Sequence, residues 1–255
     1  MLLLVSDLHL GRGTSAQSRA AERDAVALLR AHEGRVLDGG TLVLAGDVFH
    51  EYVEYRHLVP KTAARLVGLL AEWADRGADV LYLVGNRDPW HIDFFGTEIG
   101  VRVLSGPATL EVGGQTVFVA HGDAYQRRTG PRAERLLRSP WLARLYRNAL
   151  PGDGAFALAR WVSRTFGTDG AADPGVARDL RDAARGLLTG PADVVVFGHS
   201  HQEALEETPD GTYINLGYWF GARTFARIDA DGPALLRWSD GAAHPARPGP
   251  VALPL

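Results

Sequence analysis

Five short apolar runs punctuate the chain, each giving way abruptly to polar or glycine-containing residues. They are "LLLV" before Ser6, "TLVLA" before Gly46, "DVLYLV" before Gly85, "QTVFVA" before His121 and "DVVVF" before Gly198. Runs this short, rich in Val and Leu and closed by glycine, predict strands buried on both faces. Between the first three, residues 19–31 (with Val26, Leu28 and Leu29) and 60–76 (with Leu66, Leu69, Leu70 and Trp73) carry apolar positions near a 3.6-residue period. That period predicts helices. Strand, helix and strand in succession imply parallel strands joined by crossover helices.

The remaining pattern differs. Gly113-Gly114 between two alternating runs predicts a hairpin. From Ala204 onward, Asp-Gly pairs separate alternating runs, which predicts antiparallel sheet. Residues 124–190 break the strand rhythm with three helical segments, read as an insertion over about 126–172 followed by a return to the sheet. Ser139-Pro140 and Asp173-Pro174 each suit a helix start, with a capping side chain before a first-turn proline. The tail from about 243 to 255 is proline-rich and expected to lack regular structure. These elements add up to one α/β (α+β) domain over 1–255: a four-layer sandwich of two mixed sheets with helices outside and a helical cap.

Composition narrows the chemistry. The chain has 255 residues, 46% apolar and 22% charged, with a formal net charge of −3. That balance excludes wholesale disorder and argues against a surface built to coat nucleic acid. No cysteine is present, so thiolate metal sites, disulfides and Cys nucleophiles are excluded. The opening "MLLLV" is too short for a signal core or a membrane span, and is expected to be the first strand of a cytoplasmic protein.

Set side by side, the ends of the five strands read Asp7-Leu8-His9, Gly46-Asp47, Gly85-Asn86-Arg87-Asp88, His121-Gly122-Asp123 and Gly198-His199-Ser200-His201. Loops at the carboxyl ends of parallel strands converge on one crevice. Alternate residues leaving a strand point the same way, so Asp7/His9 and His199/His201 can each converge on a small site. Two aspartates, an asparagine and four histidines are too many ligands for one octahedral ion. They suit two ions sharing a carboxylate, an arrangement that binds phosphoryl oxygens and activates water for in-line attack. Mixed nitrogen and oxygen ligation that includes an asparagine favours Mn²⁺, Fe²⁺ or Zn²⁺ over Ca²⁺ or Mg²⁺.

The ordered series "SDLHLG", "GDVF", "GNRD", "HGD" and "GHSH" resembles the calcineurin-like metallophosphoesterases from residue 6 to residue 201. The resemblance implies one ion held by Asp7, His9, Asp47 and His201. It implies a second held by Asp47, Asn86, His121 and His199, with Asp47 bridging. Many relatives have a proton-donating His after the Asn, where this chain has Arg87. Arginine does not give up its proton, but its planar fork of donors can hold a phosphate oxygen or developing charge. The implied leaving group is one that needs no proton, such as a nucleoside monophosphate leaving a pyrophosphate.

"GNRD" in this setting resembles the UDP-2,3-diacylglucosamine pyrophosphatase branch, which implies Mn²⁺-dependent release of UMP and a lipid monophosphate. It also implies a helical cap over the acyl chains. Residues 127–164 hold nine arginines and only two acids, Glu134 and Asp153, interleaved with Trp141, Leu145, Tyr146, Trp161 and other apolar residues. A basic, amphipathic pair of helices suits an anionic lipid substrate and peripheral contact with the cytoplasmic face of the inner membrane. The expected catalytic set is Arg87, Asn86, Asp88 and His121, with Asp88 and Asp123 hydrogen-bonding ligand histidines or Arg87. Arg87, Asp123, Ser163, Arg164, Arg160, Trp161 and Trp141 are the expected substrate contacts. Trp219 is expected to pack near the site; His32, His50, His57, His91 and His244 are expected to face solvent or cap. A soluble phosphodiesterase or phosphomonoesterase of a small nucleotide stays open as the alternative. A nuclease and a non-catalytic metal scaffold fit less well, given the localised basic charge and the complete ligand set.

Overall fold

Buried on both faces, the apolar runs become strands. A computed structural model describes residues 1–127, 139–149, 152, 154, 158 and 172–246. In the first half, β1 (Leu2–Val5), β2 (Thr41–Ala45) and β3 (Asp79–Leu83) alternate with α1 (Ser15–Leu37) and α2 (Ala64–Asp75). The short β4 (Arg102–Leu104) follows, and then the hairpin β5 (Ala108–Val112) and β6 (Gln115–Val119) turning at Gly113-Gly114. In the second half come α3 (Pro140–Ala149), α4 (Pro174–Leu188), β7 (Val194–Phe197), β8 (Ala204–Thr208) and β9 (Gly211–Asn215). The chain ends in β10 (Thr224–Asp229), β11 (Gly232–Ser239) and β12 (Ala242–Pro245).

Two mixed sheets result. The first has the order β12-β11-β10-β1-β2-β3-β4, with β1, β2, β3 and β4 parallel; the second has the order β5-β6-β7-β9-β8, with β6, β7 and β9 parallel. Leu2, Leu4, Val43, Ala45, Leu81 and Leu83 from one sheet meet Val117, Val119, Val194, Val196 and Ile214 from the other. The first sheet's opposite face carries Leu3, Val5, Leu42 and Leu44 under Leu28 and Leu29 of α1 and Leu66, Leu70 and Trp73 of α2. The second sheet's opposite face packs Val195 and Phe197 on Leu180, Ala184 and Leu188 of α4. The layers therefore run α/β/β/α, as the periodicities predict. α4 begins where expected, with the Asp173 carboxylate accepting from the amides of Gly175 and Val176.

Two expectations need correction. The last third is antiparallel only pair by pair: β8-β9 joins the second sheet and β10-β11-β12 the first, and β9 also runs parallel to β7. The tail is not irregular from 243, because β12 pairs with β11 from Ala242 to Pro245. An edge strand tolerates Pro245, whose missing N–H would face away from its only neighbour. Arg160, Trp161, Ser163 and Arg164 lie outside the described residues.

Candidate metal centre

The carboxyl ends of β1, β2 and β3 meet those of β6 and β7 at one edge of the sandwich. Five of the eight non-glycine residues with positive φ among the described residues are expected ligands: Asp7 (53°), His9 (44°), Asp47 (52°), His199 (65°) and His201 (58°). Left-handed backbone is costly for such residues and persists only where the surroundings enforce it, as at functional sites. Here backbone ties do so: Asp7 N donates to Gly46 O at 3.1 Å and His9 N to Asp47 O at 3.0 Å. Gly85 and Gly198 admit the carboxylates, since a Cβ at either would collide with Asp47 Oδ1 or Asp7 Oδ2.

The side chains gather into two halves. In one, His9 Nε2 and His201 Nε2 are 3.1 Å apart and lie 3.6 and 3.3 Å from Asp7 Oδ1. In the other, His121 Nε2 is 3.0 Å from Asn86 Oδ1, and the His121 and His199 ring centres are 5.1 Å apart. Asp47 stands between them, with Oδ2 3.7 Å from His9 Nε2 and Oδ1 3.5 Å from His121 Nε2. Ligand atoms of Asp7, His9 and His201, and again of Asp7, Asp47 and His121, lie within 4.8 Å of one another. His199 and His201 thus diverge, because each adopts left-handed backbone instead of continuing the strand.

Donor chemistry fits divalent cations. Asp7 Oδ1 is buried without a hydrogen-bond partner, whereas Oδ2 accepts from Ser6 Oγ at 2.6 Å and His199 N at 3.0 Å. One oxygen is fixed and the other is left for a cation. His121 Nδ1 donates to Ala45 O at 3.0 Å, which turns Nε2 toward the pocket, a common way of orienting a ligand imidazole. Burial pushes His9 down to about 4 and His199 down to about 3, so both rings stay neutral. Burial would raise Asp7, yet the His201 and His9 rings hold its carboxyl well below the usual range. Burial lifts Asp47 to about 7, and the Asp47 and Asp7 charges lift His121 to about 9 against its own burial. Both latter shifts express buried negative charge that a divalent cation would neutralise.

Around this cluster, several residues take unexpected places. Asp88 binds neither a ligand histidine nor Arg87: its carboxylate accepts from the amides of Gly85 (2.9 Å) and Val48 (2.8 Å), from that of Phe49, and from Tyr82 Oη (2.5 Å). It is an anchor tying the β2 and β3 loops together. Asp123 acts on the histidines through its charge, which favours the protonated forms of His121 and His199. Arg87 N donates to Asp47 Oδ1 at 2.8 Å, and its positive charge lowers the pKa of His9 and His50. His50 does not face away, since its Nδ1 is 3.4 Å from His9 Nδ1. His32 is buried against Leu28 O, and His91 is stacked on Tyr52. Tyr218, not Trp219, meets the site, stacked on His201 at 4.5 Å; Trp219 is buried under α1, donating to Ala21 O. Gln126 Oε1, 2.9 Å from His199 Nε2, was not among the expected site residues. The signals for His50 and Gln126 were only their places three residues beyond Asp47 and Asp123.

A fold of two such sheets with this centre at their edge defines a calcineurin-like phosphoesterase. The family model described as Calcineurin-like phosphoesterase matches residues 1–203, and the chain belongs to that family. Its curated relatives include a UDP-2,3-diacylglucosamine hydrolase of Porphyromonas gingivalis, 33% identical over 167 residues, 64% of this chain and 62% of that protein. The match therefore spans less than two thirds of that relative. Another protein of the same name, from Ralstonia nicotianae, is 30% identical over 231 residues, 86% of this chain and 83% of that protein. Among solved structures, the Escherichia coli phosphoesterase Yfce aligns over 95% of both chains at 17% identity, with a TM-score of 0.49. Among the described residues, no helix is long and apolar enough to cross a membrane.

Proposed function

We propose that this single-domain chain is a dinuclear-metal hydrolase cleaving the pyrophosphate of a UDP-2,3-diacylglucosamine-like lipid to UMP and a lipid monophosphate. Asp7, His9, Asp47 and His201 would hold one ion; Asp47, Asn86, His121 and His199 would hold the other, with Mn²⁺ the expected ion and Fe²⁺ or Zn²⁺ also compatible with the mixed donors. When bound, such a pair polarises phosphoryl oxygens and lowers the pKa of water. The observation that carries the substrate reading is Arg87, held by its amide on Asp47 with its charge felt by His9 and His50.

From that position the guanidinium binds a non-bridging phosphate oxygen and offsets charge developing in the transition state. It supplies no proton, so the departing group must be stable as an anion, as a nucleoside monophosphate is. Asp88 keeps the Arg87 loop on the sheet, and Ser6 and Ala45 fix the orientations of Asp7 and His121. Two further observations support an amphiphilic substrate. The Porphyromonas gingivalis and Ralstonia nicotianae relatives are named UDP-2,3-diacylglucosamine hydrolase, and exposed apolar side chains lie on segments that pack around Trp90, three residues beyond Arg87. Leu58, Ile92, Trp141 (67% exposed) and Leu145 lie on segments joined by the Val53–Trp90–Ala143 cluster. Arg56 and Arg144 are exposed on the same segments, which suits peripheral contact with an anionic inner-membrane surface.

The test is to incubate Mn²⁺-loaded enzyme with UDP-2,3-diacylglucosamine in detergent and, separately, with bis-p-nitrophenyl phosphate. UMP release from the lipid is expected. Turnover of the small diester alone would replace this reading with that of a phosphodiesterase of small substrates.

A further inference from the structure

Asn86 and Arg87 open a loop that is held at two points just beyond them. The inner one is the Asp88 carboxylate, whose donors all come from the first sheet and its loops. The outer one is Trp90, and it depends on α3. The Trp90 carbonyl accepts from Glu54 N at 3.2 Å and from Arg147 Nη2 at 3.0 Å. Its ring lies 4.7 Å from that of Tyr146 and packs with Val53 and Ala143. α3 belongs to the stretch between β6 and β7, remote in sequence from the loop it grips.

Arg147 is not a solvated arginine. Its Nε is buried without a hydrogen-bond partner, and burial lowers its pKa. The acid that attracts it, Glu54, is already committed to the amides of Ile92, Asp93 and Phe94 and to Tyr52 Oη. A partly desolvated guanidinium whose one direct partner among the described residues is a carbonyl is a poor device for stability alone. It is well suited to fixing where that carbonyl sits.

We propose that Arg147 is a positioning residue for Arg87: from α3 it holds the Trp90 carbonyl, and so sets the loop that aims the Arg87 guanidinium at the phosphoryl group. The inference rests on the phosphate-binding role given to Arg87 above. Small misplacements of an aligned group cost rate steeply, up to roughly 10²-fold for about 1 Å.

The test is a double-mutant cycle in the metal-loaded enzyme, using Arg147→Met to keep the buried stem and lose the hydrogen bond. Hydrolysis of both UDP-2,3-diacylglucosamine and bis-p-nitrophenyl phosphate is followed, so the cycle can be run on either. Arg147→Met is expected to lower kcat by about 10-fold or more, with KM, bound metal and Tm little changed. Arg147→Lys should recover part of the loss, and adding Arg147→Met to Arg87→Ala should cost less than about 2-fold further. Losses that multiply while Arg87→Ala remains impaired would overturn the positioning role and leave the role of Arg87 standing. A loss confined to Tm or metal content would also overturn it. Full activity of Arg87→Ala would overturn both.

Discussion

Asp47 is the residue on which the two halves of the centre meet, and its surroundings show how much is spent on placing one carboxylate. It sits in left-handed backbone, beside a glycine whose Cβ would strike it, with one oxygen turned to each half. Arg87, whose amide grips that carboxylate, is expected to act on charge and not on metal. Arg87→Ala should lower kcat by roughly 10²-fold or more with bound metal unchanged, as steady-state kinetics and metal analysis on one preparation would show. Metal loss on that substitution would contradict the assignment. His50 plays the opposite part. Its ring backs His9 on the face away from Asp7, so His50→Ala should weaken metal binding by about 10- to 100-fold, read by competition with a chelating dye. Unaltered affinity would make His50 a bystander.

At the scale of elements, α2 shows why some of the architecture could not be read locally. Periodicity places a helix over 60–76, yet its N-cap is Ala63, in left-handed backbone with no side-chain hydrogen bond. The cap comes from α1, where the buried Glu22 carboxylate accepts from Arg65 N at 2.7 Å and from Leu66 N. Glu22→Ala should cost about 1–2 kcal/mol and Glu22→Gln less, measured as shifts in urea midpoint at constant slope. Equal stability of the Ala variant would mean that the cap is dispensable. Strands were legible because burial on both faces leaves an unbroken apolar run. A contact between residues 43 apart, such as Glu22 with Arg65, leaves no such trace. The same holds for Asp88, whose anchoring role depends on the Val48 amide and the Tyr82 hydroxyl, and for Arg147 on Trp90.

For the whole molecule, the gathering of the seven expected ligands was legible because parallel strands must deliver their ends to one edge, and each end carried a side chain able to bind metal. Their division between the two halves was not legible in the i, i+2 spacing, because left-handed backbone at His199 and His201 sends the rings apart. Nor could periodicity show that the second sheet would close the centre from across the sandwich, placing His121 against Asn86. Together these residues are proposed to make one two-cation centre joined through Asp47. Its most direct test is metal stoichiometry and anomalous diffraction on Mn²⁺-soaked crystals of the wild-type chain and of Asp47→Ala. Two ions per chain are expected in the wild type, one against His9 and His201 and one against Asn86 and His121, with loss of both from the variant. A single ion in the wild type, or two retained without Asp47, would contradict it.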